Sequence, residues 1–283
     1  KPGEVCHGRT VSQVLESKLD GYEAGDYVFN TNGWQTHGLT GEGIGIFGYM
    51  HPRKLDPSVA PISTAVGIVG MLGLTAYAGL VVQCHPKAGD TVVVSAASGG
   101  VGQAVGQMDK ILGCRVVGIA GVKAKCDHVV EELGFDACVS HLEETLPEDL
   151  ASACPDGVDI YFENVAGRVL RAVIPHFNFF ARMPVCGLIA QYNAASATEG
   201  ADYLPQFMRA VLTNRIAVRG FIVRDYADQE AEFLREVGGW IADGRIKYRE
   251  HRVTGLENAP EMLIGLLKGK NFGKTIVEVS DGP

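Results

Sequence analysis

The residues best suited to chemistry gather in one stretch, Thr91–Gly102, which reads TVVVSAASGGVG. Ala97, Gly99 and Gly102 take the small-residue positions of a G-x-G-x-x-G pattern, with alanine in the first place. Such a turn between a strand and a helix lets a backbone approach closely. The amide groups at the helix start then offer a seat for a dinucleotide pyrophosphate. Small residues also serve simply to pack a helix on a sheet, so the pattern needs a second signal. An NAD site carries an Asp or Glu about 20 residues further on, bound to the ribose 2′-OH. Here that segment reads Ile119-Ala120-Gly121-Val122-Lys123, with no carboxylate, and Lys125 follows. Gly121 leaves room for a 2′-phosphate and Lys125 supplies a charge-assisted contact to it. The cofactor these residues select is NADP(H).

Other chemistries find less support. Cys6-His7-Gly8 superficially suggests a zinc-dehydrogenase remnant, but Arg9 stands where a Glu ligand is needed. The 7 cysteines (6, 84, 114, 126, 138, 154, 186) are odd in number and never form a C-x-x-C pair, against both a disulfide framework and a structural zinc lobe. They read as reduced, small buried residues, which places the protein in the cytoplasm. No catalytic metal is expected. A serine hydrolase would need a G-x-S-x-G elbow, and Ser95 and Ser98 belong instead to the glycine-rich turn.

The turn must be held by a parallel sheet. Thr91–Ser95 is a continuous β-branched run suited to burial on both faces. Further strands are predicted at Arg115–Ala120, Ala137–Val139, Val158–Phe162, Arg182–Leu188 and Ile216–Val223. Helices are expected over Gly100–Leu112, Lys125–Leu133, Leu146–Ala153, Val169–Phe177, Gln206–Thr213 and Gln229–Asp243. This alternation predicts an α/β, Rossmann-type doubly wound parallel sheet. Upstream, Thr64–Val82 reads as a helix pair broken near Gly70–Gly73, in which Tyr77 is a core residue. Ser58 or Ser63 is placed to cap a helix after the prolines at 52, 57 and 61. Residues 1–60 have turn-rich, all-β character, with strands expected across Val11–Ser17 and Val28–Phe29. Strand-like runs return at Tyr248–Val253 and Lys274–Val279 around a helix at Ala259–Lys268, as if completing the first domain.

Composition sets the outer bounds. A chain of 283 residues can bury a large core in about two domains, and a net charge of −8 argues against a nucleic-acid or anionic-membrane surface as main partner. The apolar stretch from about Ile62 to Val82 is too interrupted by glycine, Ser63, Thr64 and Thr75 for a membrane span. The start, Lys1-Pro2-Gly3-Glu4, reads as a chain beginning within a domain.

Taken in order, MLGLTAYAGL, AGDTVVVSAASGGVGQAVGQ, GCRVVGIAG, ELGFDA, YFENVAG, CGLIAQYN and GKNFGK resemble the zinc-independent medium-chain dehydrogenase/reductases. The resemblance covers essentially the whole chain and is strongest to the leukotriene B4 dehydrogenase/prostaglandin reductase branch. It implies a Rossmann NADP-binding domain (67–243) inserted in a GroES-like domain (1–66, incomplete, and 244–283). It also implies NADPH-dependent reduction of the double bond of α,β-unsaturated carbonyls. By the same resemblance Ser98, Gly99, Gly100, Val101 and Gly102 hold the pyrophosphate, and Lys125 the 2′-phosphate. Asn164 is a cofactor contact after the fourth strand, and Cys186, Gly187, Leu188, Ile189 and Tyr192 lie along the nicotinamide ribose. Phe221, Ile222 and Val223 flank the nicotinamide, Met71 borders its pocket, and Asn271 is a late cofactor contact. Two departures stand out: Leu72 replaces a usual proline, and His141 replaces a tyrosine that often touches the 2′-phosphate. His141 implies weaker phosphate binding or a pH-dependent contribution from its protonated form. Tyr192 is the candidate catalytic residue, donating to the developing enolate directly or through the ribose hydroxyl; packing against the cofactor is its alternative role. The resemblance further implies a homodimer joined around Arg215–Val223. A quinone reductase of the same fold, and an NADP(H)-binding sensor or scaffold without turnover, remain alternatives.

Overall fold

The computed structural model describes residues 2–41, 52–192 and 202–280. The chain opens with three short strands, β1 (Thr10–Gln13), β2 (Tyr27–Asn30) and β3 (Arg53–Leu55), which form an antiparallel sheet. A 3-10 turn at Ile62–Val66 leads into α1 (Met71–Tyr77), which continues as a π-helical stretch over Ala78–Val82. The expected helix pair takes the form of a 3-10 turn and a helix, with its break at 67–70 and not across Gly70–Gly73, since Gly73 lies inside α1. Gly70 sets that break: a Cβ there would lie 2.0 Å from the Ala65 carbonyl oxygen. Neither expected serine cap forms. Ser58 bonds within its own Asp56 turn, and the Ser63 hydroxyl donates to Glu250.

The centre of the molecule is a six-stranded parallel sheet. Its strands are β4 (Thr91–Ser95), β5 (Arg115–Ala120), β6 (Ala137–Ser140), β7 (Val158–Phe162), β8 (Phe177–Val185) and β9 (Ala217–Gly220). They lie in the spatial order β6-β5-β4-β7-β8-β9. The helices between them are α2 (Gly102–Ile111), α3 (Lys123–Glu131), α4 (Leu146–Ala153), α5 (Gly167–Val173) and α6 (Leu204–Asn214), and α7 (Glu230–Ala242) follows the sheet. Alternation along the strands feeds two cores. Val92, Val94 and Val116 face one layer with α2 and α7, whereas Val93 and Val117 face the other with α4 and α5. A strand covered on both sides has no polar face, which is why TVVV reads as an unbroken apolar run.

Two elements depart from expectation in the same place. The predicted helix over Val169–Phe177 ends at Val173 and tightens to a 3-10 turn, and β8 starts at Phe177, five residues before the expected Arg182. Pro175 sits in that turn and lacks the N–H needed to extend the α-helix. The early part of β8 is irregular: Phe180 has φ 62°, and the pairing with β7 shifts between Val158 and Ile160. The Arg215 guanidinium lies 4.4 Å from the Phe179 ring centroid and 4.7 Å from that of Phe180.

The returning strands, β10 (Glu250–Thr254) and β11 (Lys274–Glu278), pair in parallel around α8 (Ala259–Leu267). Among the described residues they form a sheet of their own rather than extending β1–β3. Side chains make the link to the N-terminal part, Ser63 bonding both Glu250 and Arg252. Toward the central domain the link is a clamp on α2. Gln103 accepts from the Arg249 N–H at 3.1 Å and donates to its carbonyl at 3.5 Å, and Gln107 does the same for Lys247 at 2.7 Å each way. Both glutamines are buried, so the pairing satisfies groups that water does not reach.

Candidate functional site

The strand order places a topological switch point between β4 and β7, because the chain winds outward from β4 on one side and from β7 on the other. Ligands of doubly wound sheets bind in the crevice beyond the strand ends at such a point. The glycine-rich turn leaves β4 there. Its first residue, Ala96, has φ 51°, and Ala97 is fully buried beneath the turn. Gly102 is required by space: a Cβ would lie 2.3 Å from the Ala96 carbonyl oxygen and 2.8 Å from the Ala97 Cα. Gly118 on β5 leaves matching room, since its Cβ would come within 2.9 Å of the Ala97 Cβ. The helix can therefore start hard against the sheet. No side chain caps α2; the Gln103, Ala104 and Val105 amides of its first turn donate to the carbonyls of Gly99 and Val101, and the amides ahead of them, Gly100–Gly102, have no protein acceptor among the described residues. Ser98, Gly99, Gly100, Val101 and Gly102 thus form a narrow cradle of small residues at the head of α2. Leu72, the residue in place of a proline, faces this cradle, its Cδ2 lying 2.9 Å from where a Gly100 Cβ would be.

The loop after β7 is tied to the end of β4. The Asn164 N–H donates to the Ser95 hydroxyl and its Nδ2 donates to the Ser95 carbonyl, both at 2.8 Å. From the other side, the segment after β8 is hung on the same loop. Cys186 and Gly187 donate to the Glu163 carbonyl, Ile189 to that of Asn164 and Ala190 to that of Val165. Burial and the neighbouring Glu163 push the Cys186 thiol up to about 12, so it is an inert neutral group. Tyr192 ends this segment, 62% exposed, and its hydroxyl accepts from the Leu188 N–H at 3.4 Å. That oxygen lies 3.1 Å from where a Gly187 Cβ would be, so the tyrosine sits close over Gly187.

The carboxylate-free end of β5 has basic groups around it. Gly121 faces His141 across the strand ends, its Cβ position 3.6 Å from Nε2. The Ser140 hydroxyl donates to the Gly121 carbonyl at 2.7 Å. The Lys125 ammonium donates to the Gly269 carbonyl at 2.7 Å, in the loop after α8, and burial lowers its pKa. Arg168 donates to the carbonyls of His141 and Glu143. Burial above all, then the charges of Arg168 and Lys125, hold His141 below the usual histidine range. That direction favours the neutral imidazole, so any contribution of a protonated His141 shifts toward lower pH. Arg168 was missed by sequence reading; its signal is a lone cation directly after the FENVAG loop.

Asn271 and Gly273 bring the C-terminal part to the cradle. The Gly273 N–H donates to the Ser98 carbonyl at 3.2 Å, and the Asn271 Nδ2 donates to the Gly273 carbonyl at 2.9 Å. Gly273 has φ 82°, and a Cβ there would lie 2.1 Å from the Arg249 carbonyl oxygen. Phe221 packs edge-on against Phe162, ring centroids 6.5 Å apart, over Gly79 of the π-helical stretch. Ile222 is exposed and Val223 opens a 3-10 turn. Met71 opens α1 and packs with Phe29 and Ala65.

A family model described as "Zinc-binding dehydrogenase" matches residues 100–238. The NADPH-dependent curcumin reductase of Escherichia coli (strain K12) is 48% identical over 280 residues, 98% of this chain and 79% of that protein. The chain belongs to the medium-chain dehydrogenase/reductase family. Its place in that family is the zinc-independent reductase branch. The 2-alkenal reductase (NADP(+)-dependent) of Nicotiana tabacum is a further member, 42% identical over 283 residues, 99% of this chain and 78% of that one. The crystal structure of CurA from Vibrio vulnificus in complex with NADPH superposes with a TM-score of 0.90 at 46% identity, covering 98% of this chain and 80% of that chain. Among the described residues of this reductase, no group of three or more His, Cys, Asp or Glu side chains is placed to hold a metal ion.

Proposed function

We propose that this chain uses NADPH to reduce the carbon–carbon double bond of α,β-unsaturated aldehydes and ketones. It is an NADP-dependent oxidoreductase, like the curcumin and 2-alkenal reductases it resembles. The observation that carries the reading is the pairing of a glycine cradle at the switch point with a carboxylate-free, basic end of β5. Ser98–Gly102 would hold the pyrophosphate, Lys125 the 2′-phosphate beside Gly121 and His141, and Asn164, Cys186–Ile189, Phe221–Val223, Met71 and Asn271 the remainder. When bound, NADPH supplies a hydride that ends on the β-carbon while negative charge gathers on the carbonyl oxygen. The chain must orient the partners and stabilise that oxygen. Tyr192 is our candidate donor: its oxygen accepts from Leu188, leaving its own O–H to give. The division into 1–66, 67–243 and 244–283 is the frame for this reading.

Incubating the purified protein with 4-deuterated NADPH and a panel of enals, enones and quinones tests it. Deuterium on the β-carbon of an enal or enone is the expected result. Turnover of quinones alone would turn the reading to a quinone reductase, and NADPH binding without turnover to a sensor. Two further proposals concern setting. The cysteines are free in the structure, which suits the cytoplasm. Every residue of β9 is exposed at the sheet edge, which suits pairing with a second copy. Sedimentation should then give a dimer that Val218→Lys converts to monomer.

A further inference from the structure

Glu163 is a carboxylate with 0% exposure directly after β7, beneath the switch point. One oxygen, Oε1, accepts from the Val165 N–H at 2.6 Å and the Ala166 N–H at 2.9 Å, and faces the Ser95 hydroxyl at 3.2 Å. Its backbone carbonyl accepts from Cys186 at 2.9 Å and Gly187 at 3.1 Å. One residue thus joins the end of β4, the loop after β7 and the segment after β8.

The loop it holds is strained. Ala166 adopts φ 68° and ψ −160°, a region that essentially only glycine occupies. An L-residue stays there only where its surroundings over-determine it. The paired bonds from Val165 and Ala166 to one buried oxygen are that constraint. Burial drives the carboxyl pKa upward against the opposing pull of these N–H groups.

We propose that Glu163 is a positioning residue of the cofactor cleft: its carboxylate keeps Ala166 in a glycine-like conformation, and so sets Asn164 and the Cys186–Gly187 strip. It acts through these segments and needs no contact with the cofactor. The proposal rests on the NADP(H) reading of the cleft.

The test is a double-mutant cycle of position 163 against Ala166→Gly, read by NADPH fluorescence titration without substrate and by urea unfolding. Glu163→Gln keeps an acceptor at Oε1 and should bind NADPH within about threefold of wild type. Glu163→Met should weaken binding by about tenfold or more. Glycine takes up the loop conformation without strain, so in the Ala166→Gly background the same change should cost about threefold or less. Equal losses in both backgrounds, or a Glu163→Met loss below about threefold with Ala166 present, would overturn the proposal. Should Glu163→Met fail to fold, recovery of a folded, NADPH-binding double variant supports it. A double variant that still fails beside a folded Ala166→Gly overturns it. Wild type that binds NADPH but reduces no enone defeats the catalytic reading and leaves this one standing. Wild type that binds no NADPH defeats the cleft reading, and the unfolding cycle alone then judges the Glu163–Ala166 coupling.

Discussion

Asn164 makes two hydrogen bonds to Ser95, its amide to the hydroxyl and its side chain to the carbonyl, each 2.8 Å. Ser95 ends β4 and Asn164 lies in the loop just after the adjacent parallel strand β7, so the pair stitches together the two half-sheets at the switch point. Ser95 is fully buried, and removing its hydroxyl leaves the Asn164 N–H without its partner. Ser95→Ala should cost about 1–3 kcal/mol in urea unfolding and raise the KM for NADPH. An unchanged KM beside the stability loss would separate the stitch from the cleft.

Lys125 donates to the Gly269 carbonyl, so its ammonium already lies between the central domain and the C-terminal part. Lys125→Ala should weaken NADPH binding by roughly 10–100-fold, as expected for loss of a charge-assisted bond, and leave NADH binding nearly unchanged. Parallel titrations with both cofactors decide. Equal losses for both would mean that the lysine matters only through Gly269.

Asp109 on α2 is fully buried, and neither carboxylate oxygen has a hydrogen-bond partner among the described residues. Burial raises its pKa well above the ordinary value, so the folded protein keeps the proton to higher pH than the unfolded chain does. Below about pH 3 the carboxyl is largely neutral in both states. As pH rises the unfolded chain releases the proton first, and stability falls until the folded group ionises too, by up to about 1.4 kcal/mol per pH unit. The Tm gain of Asp109→Asn over wild type should therefore be smallest near about pH 3 and grow toward about pH 8. A gap independent of pH would mean the buried group is not the source.

The glutamine clamp predicts a local effect. Gln107→Ala leaves the part-buried backbone N–H and C=O of Lys247 without these partners, at about 0.5–1.5 kcal/mol for each lost bond. Hydrogen exchange at Lys247 should accelerate in Gln107→Ala, and at Arg249 in Gln103→Ala. Acceleration spread evenly over the whole chain would instead indicate global destabilisation.

Much of this was legible along the chain. Thr91–Ser95, Arg115–Ala120 and Val158–Phe162 are strands with the expected bounds, and α4 spans Leu146–Ala153 as expected. Buried parallel strands and short helices between glycines announce themselves through local composition. The edge of the sheet did so poorly. At β8 and β9, Pro175, the Phe180 bulge and the aromatic contacts of Arg215 outweighed the local pattern. Spacing between motifs carried the choice of cofactor, because a missing carboxylate and a following lysine are visible in one dimension.

The sequence by itself determined the βα alternation, the glycine turn and the absence of an acid at Gly121, since each depends on residues close together in the chain. Only the tertiary structure decided what long-range contacts control. It set Arg168 beside His141 and lowered that imidazole's pKa, seated Gly273 against Ser98, and buried Glu163 where its carboxylate constrains Ala166. Protonation state and loop strain follow from burial and from partners distant in the chain, and a sequence pattern records neither.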